Sequence, residues 1–404
     1  MIPDATGSRH ANLWRGPLVT GSIVIVAGMT ISIAAPYNLF GIQFWVAPIG
    51  HTRVWITPTD FWWAERGAAY IASGAFGYVY QAARAYFGLP LFMIILAPFV
   101  LIARAFGLDP GEVTPGQIPH PHMWLILGPV VLATVIPLLY AVRRLMHGLG
   151  VERTLSTELL VVLLAFGPAL WPGGHVEDVL ALAFVLLAIE AALADRPIAG
   201  AFLFSLAIAT KQWAAIGVPL FIVLTPTRER VRVFLTTIAF PALLGAFVLL
   251  VDYRDASRTL LHAYGYIVQG RKAPFAISLG GPFVLTAPFR LAMFIAAGAL
   301  AVALRHRLRP DLVPAAFGIC YLSRFLLEPT PPAYYFAPAL TFFLIDERIR
   351  KRPTIWVPAL SFVVVASFGL PGSNVWWTFV ATTSLLVAAP AIWSVYRVPT
   401  ARPT

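Results

Sequence analysis

The chain has 404 residues, of which 59% are hydrophobic and only 12% are charged, and its mean hydropathy is +0.79. A soluble domain carries about 25% charged residues, so this composition excludes an ordinary soluble protein and indicates a polytopic helical membrane protein. The net charge of +11 does not indicate a nucleic-acid-binding surface, because the basic residues recur in short clusters between apolar runs, as topology signals do. The one cysteine, Cys320, lies in an apolar run, so we expect no disulfide and no thiolate metal site.

The first apolar run extends from about residue 17 to residue 36 and follows Arg9 and Arg15. A long membrane chain comes after it, so we expect a first span with its N-terminus in the cytoplasm rather than a cleaved signal peptide. The segment 37–122 then lies outside. Its tryptophans suit a membrane interface; they are Trp45, Trp55, Trp62 and Trp63.

The later apolar runs alternate with short connections. We place spans at 123–142, 155–171, 176–194, 198–224, 231–251, 285–304, 312–327, 333–346, 354–370 and 376–396. Basic connections are expected in the cytoplasm; they are Arg143–Arg153, Arg228–Arg232, Arg305–Arg309 and Arg348–Arg352. Connections without Lys or Arg are expected outside; they are 172–175, 328–332 and 371–375.

The run 198–224 starts and ends beside cytoplasmic connections, so it must enter and return, with its turn at 210–213. This pattern predicts about twelve crossings of the plasma membrane, with both termini on the cytoplasmic side. The stretch 89–106 is apolar enough to span, but a crossing there would invert every later connection. Pro90, Pro98 and Arg104 favour a re-entrant or interfacial segment. We therefore expect one all-α domain over 1–404 with large outward loops at 37–122 and 252–284.

Lys211 lies about 14 residues into its apolar run, roughly 20 Å of helix from Pro197. A lysine at that depth costs about 3 kcal/mol even on lenient scales. One interpretation is a structural ion pair with a nearby carboxylate, and the other is a site for an anion such as a lipid phosphate. Arg271 and Lys272, in the second outward loop, are further candidates for phosphate binding or for contact with anionic headgroups.

Acidic residues mark the first outward loop and a later connection. Asp60 either caps a helix that begins at Phe61 or acts as a general base in catalysis. Glu65 is a second candidate base, but its neighbour Arg66 favours a surface ion pair. Arg324 lies about one turn before Glu328, which predicts a pair between them.

His175, Glu177 and Asp178 precede a predicted span. His175 and Asp178 are three residues apart and share a helix face, a spacing compatible with a divalent cation. No second histidine has ligand spacing nearby, so we favour helix capping by the two acids, with His175 contacting substrate, and expect no metal. His120 and His122 flank a proline at the mouth of the second span, which favours substrate contact or an interfacial position. Tyr334 and Tyr335 are interfacial residues or line a lipid groove.

Several of these motifs, in this order, resemble the GT-C superfamily of polyprenol-phosphate-sugar-dependent glycosyltransferases, and most of all the actinobacterial membrane mannosyl- and arabinofuranosyltransferases. That family has an acidic residue in its first outward loop, a Gly-aromatic-Tyr pattern, a Tyr-Pro-Pro, a Gly-Gln-x-Asn, an Ala-Gly…Lys-x-x-Pro hairpin and a late Tyr-Tyr pair. The counterparts here are Asp60, Gly77-Tyr78-Val-Tyr80, Ile118-Pro-His-Pro, Gly174-His-Val-Glu-Asp178, Ala199-Gly200 through Lys211, and Tyr334-Tyr335. Two motifs depart from the family, since histidines flank the Tyr-Pro-Pro position and Glu177-Asp178 replaces a neutral Asn.

The resemblance implies transfer of mannose or arabinofuranose from a polyprenyl phosphate donor to a glycolipid or cell-envelope glycan at the outer membrane face. Asp60 would deprotonate the acceptor hydroxyl. The leaving phosphate would be bound by Lys211, Arg271 and Lys272. The sugar and the lipid would be contacted by Trp62, Trp63, His120, His175, Asp178, Tyr334 and Tyr335. No cofactor, nucleotide sugar or nucleic-acid partner is expected.

Two other functions remain open from the sequence. A broken hairpin with a buried lysine also suits a transporter or a flippase for lipid-linked sugars, although no internal repeat relates two halves and the polar residues crowd on the outward side. The motif departures leave room for an inactive scaffold with the same fold. The enzyme hypothesis predicts that Asp60, Lys211 and Asp178 converge on one outward-open cavity.

Overall fold

A computed structural model describes residues 5–34, 61–83, 88–108, 124–170, 174–261, 264–266, 272–281, 283–351, 355–368, 370 and 372–397. The first nine α-helices of this part of the chain are α1 (Ala5–Ala34), α2 (Phe61–Ala72), α3 (Val79–Ala82), α4 (Leu91–Ala105), α5 (Trp124–Ala133), α6 (Val135–Gly148), α7 (Leu155–Val161), α8 (Gly167–Leu170) and α9 (Val176–Leu193). The remaining ones are α10 (Pro197–Thr210), α11 (Val218–Leu224), α12 (Arg230–Val251), α13 (Tyr253–Leu260), α14 (Ala287–Leu304), α15 (Val313–Leu327), α16 (Ala337–Ile349), α17 (Trp356–Ser367) and α18 (Asn374–Tyr396). A π-turn over Val162–Phe166 joins α7 to α8.

Six helical stretches among these residues are long and apolar enough to cross a membrane. They are Leu13–Ile31, Leu125–Gly148, Thr227–Val251, Ala287–Leu304, Pro310–Leu327 and Asn374–Tyr396. This confirms a helical membrane protein. A helix lies at every predicted span, but several are shorter than the roughly 20 residues that a simple crossing needs, so the number of twelve crossings stays a prediction.

Three of the basic connections meet at one end of the helical bundle. The Arg348 Nε donates a hydrogen bond to the carbonyl oxygen of Arg153 at 3.3 Å, and Arg350 Nη2 donates to the carbonyl oxygen of Asp311 at 3.3 Å. Gly16 of α1 contacts Arg143, so the N-terminal half of α1 also reaches this end. We call this end, defined by Arg143, Arg153 and Arg348, the basic end. Its assignment to the cytoplasm stays a prediction.

Helix α9 connects the basic end to the opposite one. Near its C-terminus, Glu190 accepts ion pairs from Arg144 at 3.0 Å and from Arg196 at 3.5 Å. Glu177 lies thirteen residues earlier in the same helix, which places it about 20 Å away along the axis. We call the end that carries Glu177 and Asp178 the far end.

Helix α10 returns along α9 and the chain reverses at Lys211. Thr210 is the last helical residue, and Lys211 is extended at φ −152° and ψ 122°. A 3₁₀ turn over Gln212–Gly217 follows, and α11 runs back beside α10, where the Phe204 and Phe221 rings lie 4.8 Å apart. The predicted hairpin with its turn at 210–213 is therefore confirmed.

The stretch 89–106 forms α4, a helix of 15 residues with Pro98 inside it. It packs on α2, where Gly67 contacts Met93 and Arg104 Nη1 donates to Ser73 Oγ at 2.8 Å. The helices α2, α3, α4 and α5 share an apolar core with the first turn of α9. At 15 residues, α4 is shorter than a simple crossing, and its re-entrant or interfacial placement stays a prediction.

The region 252–285, which the sequence predicts to lie mostly outside, contains a small sheet that the all-α expectation did not include. Its strands are β1 (Tyr264–Tyr266), β2 (Ser278–Gly280) and β3 (Phe283–Leu285), in the order β1-β3-β2 with antiparallel pairing. Gly280 and Gly281 both have positive φ, of 104° and 54°, which glycine adopts freely and which lets the chain turn between β2 and β3. These strands of three residues are too short for an alternating pattern, so they could not be predicted from the sequence.

The close approach of α9 and α10 makes Gly200 a testable position. A Cβ added there would lie 2.6 Å from the Ala188 carbonyl oxygen, whereas a Cβ at Gly298 of α14 meets no atom within 4 Å. We expect Gly200→Ala to lower the melting temperature in detergent because the two helices must move apart. Gly298→Ala should leave it unchanged or raise it, since alanine favours helix by about 1 kcal/mol over glycine. Equal effects of both substitutions would contradict this packing.

Candidate functional site

Four charged side chains form a cluster at the far end. Lys211 Nζ lies 2.6 Å from Glu177 Oε1 and 3.5 Å from Asp178 Oδ2, and Arg324 Nη1 lies 3.5 Å from Asp178 Oδ1. The side chains are 12% exposed for Lys211, 5% for Glu177, 3% for Asp178 and 6% for Arg324. Two cations thus face two carboxylates, which balances the charge of a largely buried site.

Separate parts of the chain bring these groups together. Gly174 has a φ of +75°, which turns the chain into α9 and places both acids in the first helical turn. Lys211 occupies the break between α10 and the 3₁₀ turn. Arg324 belongs to the last turn of α15. All three positions are ends or breaks of helices.

Aromatic rings surround the charges. The Arg324 guanidinium carbon lies 3.6 Å from the centroid of Tyr335 and 5.1 Å from that of Trp213, distances at which cation–π attraction is effective. The rings of His175 and Tyr334 stack with centroids 4.1 Å apart. His175, Tyr334 and Tyr335 are half-buried, so the cluster contacts the protein surface through flat, polar-tipped rings.

The described residues leave little empty space at Asp178 itself. A void of about 10 Å³ lies beside it, among the side chains of α6, α9 and α16, which is room for about one water molecule. The two stretches expected to form the rest of an outward cavity, 35–60 and 109–123, lie outside the described residues. The predicted outward-open cavity therefore stays a prediction.

The structure brings five of the predicted site residues together and separates one. The five are His175, Asp178, Lys211, Tyr334 and Tyr335. Lys272 is exposed, and its Nζ lies 3.4 Å from Ser278 Oγ. The adjacent Ala273 donates a backbone hydrogen bond to Pro329 at 2.7 Å, so this loop covers the connection 328–332 without joining the charged cluster.

Several predicted site residues lie outside the described part of the chain. Asp60, His120, Arg271 and the side chain of Trp62 lie outside the described residues, while Trp63 is half-buried in α2. Phe61, next to Asp60, is 3% exposed and belongs to the same apolar core as Val176, next to Glu177. The convergence of Asp60 with Lys211 stays a prediction, and this shared core is compatible with it.

The predicted pair between Arg324 and Glu328 is wrong, because Arg324 pairs with Asp178. Helix α15 ends at Leu327, and Glu328 is extended at φ −73° and ψ 123°, so the one-turn spacing that joins side chains on a helix is lost. Burial raises the pKa of Glu328 to about 7, and the positive charges of Arg290 and Arg324 act in the opposite direction.

Glu177 and Asp178 lie in the first turn of α9, as the capping prediction requires, and their charges oppose the helix dipole there. The two acids also form the ion pairs with Lys211 and Arg324. His175 is the N-cap residue of α9 and its side chain makes no capping hydrogen bond. The possible ligand atoms of His175, Glu177 and Asp178 lie within 4.8 Å of one another, a spacing that could hold a metal ion. However, the Lys211 ammonium already contacts both carboxylates, so a cation would have to displace it. We therefore keep the expectation that no metal binds here.

Glu65 is buried, whereas the sequence predicts a surface ion pair. It is 3% exposed, and its Oε1 accepts no hydrogen bond from the residues that the structure describes. Burial raises the pKa of Glu65 to about 8, so the side chain is mostly protonated at neutral pH. Only the ionised fraction of Glu65 can accept a proton at neutral pH, so Asp60, which the motif resemblance favours, stays the first candidate base and Glu65 the second.

Sequence reasoning missed the roles of Glu177, Arg324 and Trp213. The signal for Arg324 is its position inside the apolar run 312–327, since a charged side chain within a span needs a partner in the bundle. Identifying Asp178 as that partner requires the three-dimensional structure, because 146 residues separate the two.

Comparison with known proteins does not assign this site. No protein-family model matches the chain, and no curated protein matches it.

The ion pairs predict a compensating pair of substitutions. Lys211→Met should destabilise the protein by about 3–5 kcal/mol, because it leaves buried carboxylates uncompensated. Lys211→Met/Glu177→Gln should recover much of this loss. Thermal unfolding in detergent measures both, with Lys351→Met at the basic end as control. A double variant as unstable as the single one would contradict the pairing.

The raised pKa of Glu65 predicts a pH-dependent stability. Its folded-state pKa of about 8 exceeds the ordinary value of 4.5, so its stabilising contribution is complete below pH 4.5 and is lost as pH rises through 8. In between, the free energy of unfolding falls by about 1.4 kcal/mol per pH unit. Glu65→Gln should remove this slope and exceed the wild type in stability at pH 8, as measured by thermal unfolding. The exposed Glu152→Gln is the control, and an unchanged slope in Glu65→Gln would refute the burial argument.

Proposed function

We propose that the protein is a membrane glycosyltransferase that uses a polyprenyl-phosphate-linked sugar, mannose or arabinofuranose. The acceptor is a glycolipid or a cell-envelope glycan, and transfer takes place at the outer face of the cytoplasmic membrane. The proposal combines the motif resemblance with the chemistry of the far end.

One observation carries the proposal: Lys211 and Arg324 meet beside aromatic rings at the end of the bundle away from the basic connections. A phosphate group needs cationic hydrogen-bond donors, and sugar rings and lipid headgroups favour aromatic faces. In the absence of substrate, Glu177 and Asp178 neutralise the two cations. An incoming phosphate would take the place of these carboxylates as the partner of Lys211, which is the more exposed of the two cations.

The proposed reaction is a displacement at the anomeric carbon. The acceptor oxygen forms a bond to this carbon while the bond from the carbon to the phosphate oxygen breaks, and the phosphate leaves with the bonding electron pair. Asp60 takes the acceptor proton. Lys211 and Arg324 stabilise the charge that develops on the leaving phosphate. His175 and Tyr334, whose rings stack, would contact the sugar.

A transporter or flippase of lipid-linked sugars is the second candidate. The observation that favours it is the break at Lys211 between two short helices, since discontinuous helices form substrate sites in transporters. Both candidates place a phosphate at the same lysine, and they differ in whether a glycosidic bond is broken.

Sugar transfer from radiolabelled polyprenyl-phosphate-mannose, and separately from the arabinofuranose donor, tests the proposal. We expect the wild type to transfer one of these sugars to membrane lipids or glycans, and Asp60→Asn to reduce the rate by about 10²–10⁴-fold, the range for loss of a general base. Lys211→Met/Glu177→Gln should also lose transfer while remaining folded.

A matched control accompanies this assay. Asp311→Asn removes an exposed carboxylate at the basic end and should leave transfer unchanged. Transfer that survives Asp60→Asn would move the base to another residue, with Glu65 next. Absence of transfer from both donors would refute the enzyme, and a lipid-flipping assay would then separate the transporter from an inactive scaffold.

A further inference from the structure

A second polar site lies at the basic end of the molecule. It is a cavity of about 480 Å³ between the C-terminal parts of α6 and α16 and the start of the helical stretch Leu155–Leu170. The cavity is lined by Arg143, His147, Glu152, Arg153, Thr154, Leu155, Ser156 and Arg348. Its volume falls in the range of small-ligand sites, about 300–1,000 Å³.

The floor of this cavity is held by a buried ion pair. Arg143 contacts Glu158 through two hydrogen bonds, from Nε to Oε1 at 2.7 Å and from Nη2 to Oε2 at 2.9 Å. The Thr154 hydroxyl donates to Glu158 Oε1 at 2.6 Å, and Glu158 is fully buried. A bidentate, desolvated pair of this kind is geometrically specific, so the base of the cavity is formed without a ligand.

The rim carries positive charge that the described residues do not fully neutralise. Arg348 uses Nε to donate to the Arg153 carbonyl oxygen at 3.3 Å, which fixes its position and leaves its terminal nitrogens for another partner. The guanidinium of Arg153 forms no ion pair with any residue that the structure describes. Three arginines, with His147 beside them, therefore face only Glu152 in the lining and Glu158 beneath it.

Backbone donors add to these charges. The helical stretch Leu155–Leu170 starts at the cavity, and the side chain of its N-cap residue Thr154 accepts no capping hydrogen bond. The first amide groups of a helix have no partner within the helix and favour anions. Ser156, in the first turn, offers a hydroxyl on the same side.

We propose that this cavity binds the phosphate group of an anionic ligand at the membrane surface. Basic pockets between transmembrane helices suit the headgroups of anionic lipids, and the cavity lies at the ends of helices, where headgroups are found. A soluble phosphate compound offers the same chemistry. The site is distinct from the far-end cluster, because α9 separates the two ends by about 20 Å, and it does not depend on the proposed transferase activity.

The test compares two double variants of the full chain in detergent and in nanodiscs. Arg153→Ala/Arg348→Ala removes the rim charges. Arg228→Ala/Arg305→Ala removes two exposed charges from other basic connections. Native mass spectrometry measures retained phosphatidylglycerol, and calorimetry measures binding of inorganic pyrophosphate. We expect the rim variant to lose about ten-fold or more in affinity for at least one probe, and the other variant to change by less than about two-fold.

Each outcome has a definite meaning. Selective loss of phosphatidylglycerol identifies a lipid headgroup, and selective loss of pyrophosphate identifies a soluble ligand. Equal losses in both variants would show general surface attraction and would overturn the site, as would unchanged binding in the rim variant. Should the double variant misfold, Arg153→Gln alone provides the same test, because this exposed side chain has no ion pair to lose among the described residues.

Discussion

The requirement for a buried anion at Lys211 determines how the far end of the protein is built. A hairpin of two short helices must turn inside the apolar bundle, and a lysine stands at this turn. Its ammonium is stabilised because α9 begins at the same level and presents Glu177 2.6 Å away and Asp178 3.5 Å away. Asp178, the next residue, then requires a second cation, which α15 supplies as Arg324. The ion pairs thus join three helical elements that are distant in sequence.

Charge is divided between the two ends of the bundle in different ways. At the far end, cations and carboxylates are balanced, buried and surrounded by aromatic rings. At the basic end, arginines outnumber the acids that face them, and their side chains are more exposed. The first arrangement suits a site where a bound group exchanges with internal partners, whereas the second suits a permanent attraction for anions of the surrounding medium. On the two proposals above, one protein would carry two anion-directed sites with opposite electrostatic designs.

Much of the fold could be predicted from sequence, because apolar runs and basic connections follow directly from membrane physics. The hairpin turn at 210–213 is an example, since cytoplasmic signals flank a run too long for one crossing. The partner of Arg324 could not be predicted in this way. Local spacing favours Glu328 as the partner. That pairing is lost because α15 ends at Leu327, and the end of the helix depends on tertiary structure. The burial of Glu65 was missed for a related reason, because it depends on how α2 packs on α4. The catalytic role of Asp60 rests on the motif resemblance.

Helix α9 is held by ion pairs at both ends, through Glu177 to Lys211 and through Glu190 to Arg144. If α9 slid along its axis by one helical turn, about 5.4 Å, both ion pairs would break together, and four charges would lose these contacts. Helix α9 therefore fixes the axial distance between the hairpin at Lys211 and Arg144 at the opposite end. Sliding of α9 along its axis is therefore costly, whereas rotation of side chains or tilting of the neighbouring helices could open the far end with these attachments in place.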